Sequence, residues 1–172
     1  MLLDEKDSDV TFYVGDQKYP AHKAIVKTIS PVFSEMLKHD TNEKSEVVIN
    51  IPDCDPLVFR DFLSCVYTGK LDVISKKNVC ELYYISDKYN VGDLKMKCID
   101  FMCNNLSVDI ICDVIFLAVR HCEQNLLSRA TEFFNDHVRE IHLTIGYQNF
   151  IIEHPTESND FLLKISSKIS RK

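Results

Sequence analysis

Strand-like patterning is confined to the segment before Pro52, and beyond it the pattern is helical almost without a break. No strand–helix–strand repeat and no internal repeat runs through the chain. That order favours an α+β domain, a small β-sheet flanked by α-helices, followed by a helical hairpin.

The strands come first. "VTFYV" puts Val10, Phe12 and Val14 on one face, Gly15-Asp16 is a Gly-first two-residue turn, and "QKYPA" returns as the second strand, with Pro20 confining its end. "AHKAIVKTI" then has Ala21, Ile25 and Ile29 at helical spacing up to Ser30-Pro31, where Ser can cap and Pro can open a new helix. After the polar run 38–46, "VVINIP" reads as a third strand. The next helix has Asp55 as its cap, Pro56 at its first position, apolar residues at 58, 59, 62, 63 and 66, and Gly69 beyond its end. Two more helices fit apolar positions 79, 82, 83, 85 and 89, and the run after Gly92-Asp93. A further pair carries Val108, Ile111, Cys112, Ile115, Ala118 and Val119, then Leu126, Ala130, Phe133, Phe134 and Val138. The remainder is shorter in period and interrupted at Gly146 and Pro155.

Composition excludes several classes. With 172 residues, 45% of them hydrophobic, the chain can bury one substantial core plus a helical appendage. A net charge of -6 gives no basis for general nucleic-acid binding, which needs clustered Lys and Arg. Seven cysteines without a C-x-x-C pair read as reduced, buried thiols of an intracellular protein. The first residues lack a signal-peptide pattern and no window reaches the length of a membrane span, so a chain of the nucleus and/or cytoplasm is expected.

Little chemistry survives inspection. A Cys54–His22 nucleophile pair lacks any accompanying G-x-S-x-G or cysteine-proteinase signature. A metal site from His121-Cys122 with Cys112 or His137 matches no closed zinc set, and adjacent helical residues point apart. No glycine-rich loop is present to hold phosphate. The reading is therefore no enzyme, no cofactor and no metal. A cationic tail, Lys164, Lys168, Arg171 and Lys172, reads as a solvated terminus.

Four blocks, "SDVTFYV", "YPAHKAIVKTISPVFSEML", "VVINIPDCDPLVFRDFLSCVYTG" and "LYYISDKYNVGDLKMKCIDFM", resemble a BTB/POZ domain in order and spacing. The segment 107–138 and "IIEHP" resemble the helical 3-box extension and truncated BACK region of speckle-type POZ proteins. The expected organisation is a BTB/POZ domain at 1–105, a 3-box-like extension at 106–138, and a truncated BACK-like region with the basic tail at 139–172.

The resemblance implies a non-catalytic adaptor: a dimer that recruits the cullin-3 ubiquitin-ligase scaffold and promotes substrate ubiquitination and proteasomal degradation. It assigns the homodimer interface to Leu2, Leu3, Asp9, His22, Lys23 and Ile25, with Asp9, His22 and Lys23 as a partly buried polar cluster whose charges need partners. It assigns cullin binding to Phe33, Met36, Leu37, Thr41, Glu43 and Tyr89. Relatives place a large apolar residue where Thr41 stands, and one methyl in its place costs about 1–3 kcal/mol of binding. Phe161 and Leu162 fall where the BACK region self-associates. Substrate recognition by a MATH domain is expected on another polypeptide. Two alternatives stay open: a BTB dimer, or heterodimeric modulator of a MATH-BTB relative, that recruits a non-cullin partner such as a transcriptional corepressor, and a cysteine-dependent enzyme.

Overall fold

The structure, a computed structural model, describes residues 8–38 and 47–169. It divides into two compact units, Met1–Cys98 and Ile99–Lys172.

The first unit opens with the hairpin β1 (Val10–Val14) and β2 (Gln17–Ala21), antiparallel from Val10 opposite Ala21 to Val14 opposite Gln17. Gly15 turns the chain with φ 56°, a left-handed conformation that glycine enters without Cβ strain. β3 (Val47–Asn50) pairs in parallel with β1, giving the order β2-β1-β3. Val10, Phe12 and Val14 are fully buried, as their alternation requires.

Between β2 and β3 lie α1 (Lys23–Ile29) and α2 (Pro31–Met36). Ala21 belongs to the sheet, where it pairs with Val10, so α1 begins two residues later than its apolar spacing suggested. Its inward residue is Val26, fully buried, while Ile25 is exposed. Seven residues are too few for a periodic pattern to show which side faces the core.

α3 (Pro56–Thr68) starts where Asp55 accepts hydrogen bonds from the N–H groups of Leu57 and Val58. It ends at Gly69, φ 66°, whose N–H donates to the Cys65 carbonyl. Cys65, rather than Val66, completes the buried stripe of this helix. α4 (Val79–Lys88) buries Val79, Leu82, Tyr83 and Ile85, and α5 (Gly92–Asn104) follows.

The second unit begins within α5. α6 (Ile111–Arg120) and α7 (Gln124–Asp136) form a hairpin, followed by α8 (Val138–Ile141), α9 (Ile145–Glu153) and α10 (Pro155–Ile169). Gly146 lies within the first turn of α9 and interrupts nothing. Pro155 opens α10 at the position where its missing N–H is harmless. Both α9 and α10 pack on α6, and Phe134 meets Phe161 edge-on with centroids 5.1 Å apart.

The thiols are less uniformly buried than their helical positions suggested. All seven are free, but burial is confined to Cys65, Cys98 and Cys112, and Cys122 is exposed at a turn with φ 56°. No helix of the described residues is long and apolar enough to cross a membrane.

Candidate interaction surfaces

The corner between α1 and α2 is set by Ser30. Its hydroxyl accepts from the Phe33 N–H at 3.0 Å, capping α2, and donates to the Tyr89 carbonyl at 2.5 Å. One fully buried side chain thus satisfies two backbone groups from segments 59 residues apart. Phe33 follows it inward, stacked on Tyr89 with centroids 4.4 Å apart and 5.0 Å from Phe12. Phe59 and Phe62 continue this aromatic core. Each such pair is worth about 0.5–1.5 kcal/mol beyond area burial.

That geometry places the residues assigned to cullin binding on two sides of a wall. Phe33, Leu37 and Tyr89 are interior, at 0%, 1% and 2% exposure. They hold up the end of α2 from beneath and do not offer side chains to a partner. Met36 stands outside at 48% exposure. Thr41 and Glu43 lie outside the described residues.

At the start of α1 the polar cluster joins Asp9 to Lys23 through the backbone: Asp9 accepts from the Lys23 N–H at 2.6 Å, so it serves as a cap supplied from the residue before β1. His22 itself bonds to Tyr67, a residue that the sequence reading missed: its backbone N–H donates to the Tyr67 hydroxyl at 2.7 Å, and Nδ1 lies 3.0 Å from the same oxygen. Burial pushes the Tyr67 hydroxyl above its ordinary pKa, and the Asp9 carboxylate adds to that rise against the lowering contact from the His22 N–H. Tyr67 sits half-buried near the end of α3, and no local motif signals a bond across 45 residues. Ile25, one turn on from His22, is 37% exposed. Leu2 and Leu3 lie outside the described residues.

A cleft of about 600 Å3 opens in the first unit beside the same corner. Ile29, Pro31, Val66, Leu71 and Leu94 give it apolar walls, with Asp93 and Lys97 at its charged margin. Cys65 also lines it, its thiol pushed up to about 11 by burial, and Asp61 and Asp72 raise it further. Such a thiol stays protonated near neutral pH and is a poor nucleophile. Cys54, the other half of the considered nucleophile pair, is likewise pushed up to about 11, chiefly by burial. No cluster of metal-ligating side chains occurs among the described residues.

In the second unit Phe161 is interior at 1% exposure, and its neighbour Leu162 is exposed at 38%. Leu143, Ile145, Ile152 and Leu163 are also exposed, at 84%, 74%, 76% and 58%.

The architecture has known counterparts. The family profile of the BTB/POZ domain matches residues 1–106. The chain belongs to the BTB/POZ family.

BTB/POZ domains are generally non-enzymatic modules that commonly dimerise and bind partners, so residues 1–106 form a protein–protein interaction module. The solved BTB domain of zebrafish PATZ1 aligns over 59% of this chain and 80% of its own length, with 24% identity and a TM-score of 0.51, and shares the fold. The BTB domain of human gigaxonin aligns over 55% of this chain and 76% of its own, with 20% identity and a TM-score of 0.49. Mouse TD and POZ domain-containing protein 4 is 32% identical over 149 residues, which are 86% of this chain. The match covers 40% of that relative's length.

Proposed function

We propose that this chain is a dimeric, non-catalytic adaptor that brings the cullin-3 scaffold of a ubiquitin ligase to substrates marked for proteasomal degradation, in the nucleus and/or cytoplasm. The observation that supports it most is the rigid end of α2. The Ser30 tie and the Phe33–Tyr89 stack fix the backbone from beneath, while Met36 is presented at the surface. Pre-ordering of this kind lowers the entropy cost of docking a partner there. Homodimerisation is assigned to the Asp9, His22, Lys23 and Ile25 edge with Leu2 and Leu3, and a second self-association contact to Leu162 and its neighbours. Pairing with a MATH-BTB relative would make this protein a modulator of that relative's ligase.

Light-scattering mass across a concentration series, with and without excess cullin-3 N-terminal domain, tests the proposal. A dimer that gains cullin mass, and loses the gain in a Thr41→Lys/Glu43→Lys variant, is the expected result. Unchanged cullin binding in that variant would remove the site assignment, and no binding by the wild type would remove the cullin role.

A second reading draws on the cleft beside Pro31, whose apolar walls suit a short apolar segment of a non-cullin partner such as a transcriptional corepressor. It expects a dimer without cullin affinity whose corepressor binding is blocked by Leu94→Lys at the cleft wall.

A further inference from the structure

The bond between Tyr67 and His22 has a proton count that can be closed. The hydroxyl oxygen of Tyr67 already receives the His22 backbone N–H at 2.7 Å. Its own hydrogen then needs an acceptor, and among the described residues Nδ1 of His22, 3.0 Å away, is the group placed to take it. If Nδ1 carried a proton instead, the oxygen would face two donors and the phenolic hydrogen would have no acceptor in this half-buried place. Neutral His22 therefore holds its proton on Nε2.

The same geometry fixes the ring. The hydroxyl grips one residue at both its backbone and its ring, so the imidazole cannot rotate without giving up a bond, and the adjoining Lys23 N–H is held by Asp9. Among the described residues nothing bonds to Nε2. His22 caps α1 in an extended conformation, and Ile25, three residues on, is exposed, so an Nε2–H donor and an apolar side chain both belong to the start of α1.

We propose that Tyr67 is the positioning residue of this edge: by locking His22 as the Nε2–H form in one orientation, it sets the hydrogen-bond donor that α1 offers to an acceptor, a carbonyl or carboxylate, of a second copy of the chain. This inference rests on the homodimer reading above. It adds to that reading a residue from α3 that makes no contact with the partner itself.

The test uses the full chain, with two readouts. The ring nitrogens of His22 are observed by two-bond 1H–15N spectra, and the dimer constant by light scattering. In the wild type Nε2 is protonated and Nδ1 shows the shift of a hydrogen-bonded acceptor. Tyr67→Phe moves Nδ1 to the shift of a nitrogen without a donor and weakens the dimer about three- to tenfold, the worth of one hydrogen bond. His22→Asn keeps a polar group at the Nδ1 position and has none at Nε2. It weakens the dimer to the same extent, and the double variant is no weaker than either single one.

An unmoved Nδ1 signal in Tyr67→Phe would overturn the positioning role, and a moved signal with an unchanged dimer would overturn its link to the partner. Independent, additive losses in the double variant would do the same. Should Tyr67→Phe not fold, His22→Asn decides the partner link: an unchanged dimer overturns it. A wild type that stays monomeric at every concentration overturns the homodimer reading and the partner link with it, while its Nδ1 signal still decides whether Tyr67 holds the ring.

Discussion

The two units of this protein solve the same problem with different materials. The first joins strands and helices distant in sequence, through rings (Phe12, Phe33, Phe59, Phe62, Tyr89) and polar ties such as Ser30 to Tyr89, His22 to Tyr67, and the Tyr19 hydroxyl donating to the Pro56 carbonyl. The second is built on the hairpin of consecutive helices α6 and α7, with α9 and α10 returning onto α6. Its core is largely aliphatic, with Ile111, Val114, Leu117, Leu126 and Ile141 fully buried, and its bonds from Thr131 and Thr144 stay within a turn. Non-local cores place surface side chains exactingly at the cost of closing long loops, whereas local helix stacking leaves outer faces free to vary. The second unit accordingly exposes Leu143, Ile145 and Ile152 almost fully.

The largest expected effect breaks the aromatic core. Phe33→Ala removes the ring between Phe12 and Tyr89 and costs about 3–5 kcal/mol, read as a lower urea midpoint. Met36→Ala, three residues on and exposed, changes stability by less than about 0.5 kcal/mol. Equal losses would mean that α2 is not anchored by its inward face.

A second comparison sets a long-range cap against a local one. Ser30→Ala removes the cap of α2 and leaves the buried Tyr89 carbonyl without its donor, a loss of about 1–3 kcal/mol. Thr144→Ala in the second unit removes the cap of α9 and a hydroxyl bond to the Ile141 carbonyl within the same turn, about 1 kcal/mol. Thermal melts of the two variants rank them, and a larger loss at Thr144 would reverse the contrast drawn here.

The thiols sharpen the comparison through pH. Burial pushes Cys98 up to about 12, helped by neighbouring Cys65, and pushes Cys65 up to about 11. A thiol whose folded pKa lies above its unfolded value favours the fold fully below the unfolded pKa. That stability is lost as pH rises from about 9 through the folded values. Urea midpoints should therefore be insensitive to these groups at pH 7–8 and fall above pH 9, less steeply in Cys98→Ala. At pH 8 a thiol reagent should label exposed Cys122 first, with Cys65, Cys98 and Cys112 reacting only as the fold opens.

The smallest effect on stability is expected at the outer face of the second unit. Leu143→Lys and Ile152→Lys should each alter the unfolding midpoint by less than about 0.5 kcal/mol, because neither side chain is covered. Self-association at high concentration, followed by sedimentation, should fall in the double variant if this face is a contact between copies.

Sequence alone determined the elements whose signals are local. Gly15 announced the first turn, Asp55-Pro56 and Gly69 bounded α3, and the apolar positions of α4 fell on its buried face. The order of strands before helices, with the four blocks from Asp9 to Met102, was enough to point to the BTB/POZ family. Local chemistry suffices there because caps, turns and periodicity act over a few residues, and each residue type has few conformations that suit it.

Tertiary structure alone decided the partners. The sequence grouped Asp9, His22 and Lys23 as one polar cluster, and the fold joined Asp9 to the Lys23 N–H but brought His22 a partner from outside it, Tyr67. It placed Phe33, Leu37, Tyr89 and Phe161 inside, where residue type alone left them free to be contact residues. It also drew Ala21 into the sheet and made Val26 the inward residue of α1. These outcomes depend on which distant segments meet, and a hydrogen bond across 45 or 59 residues leaves no mark in the spacing of either partner.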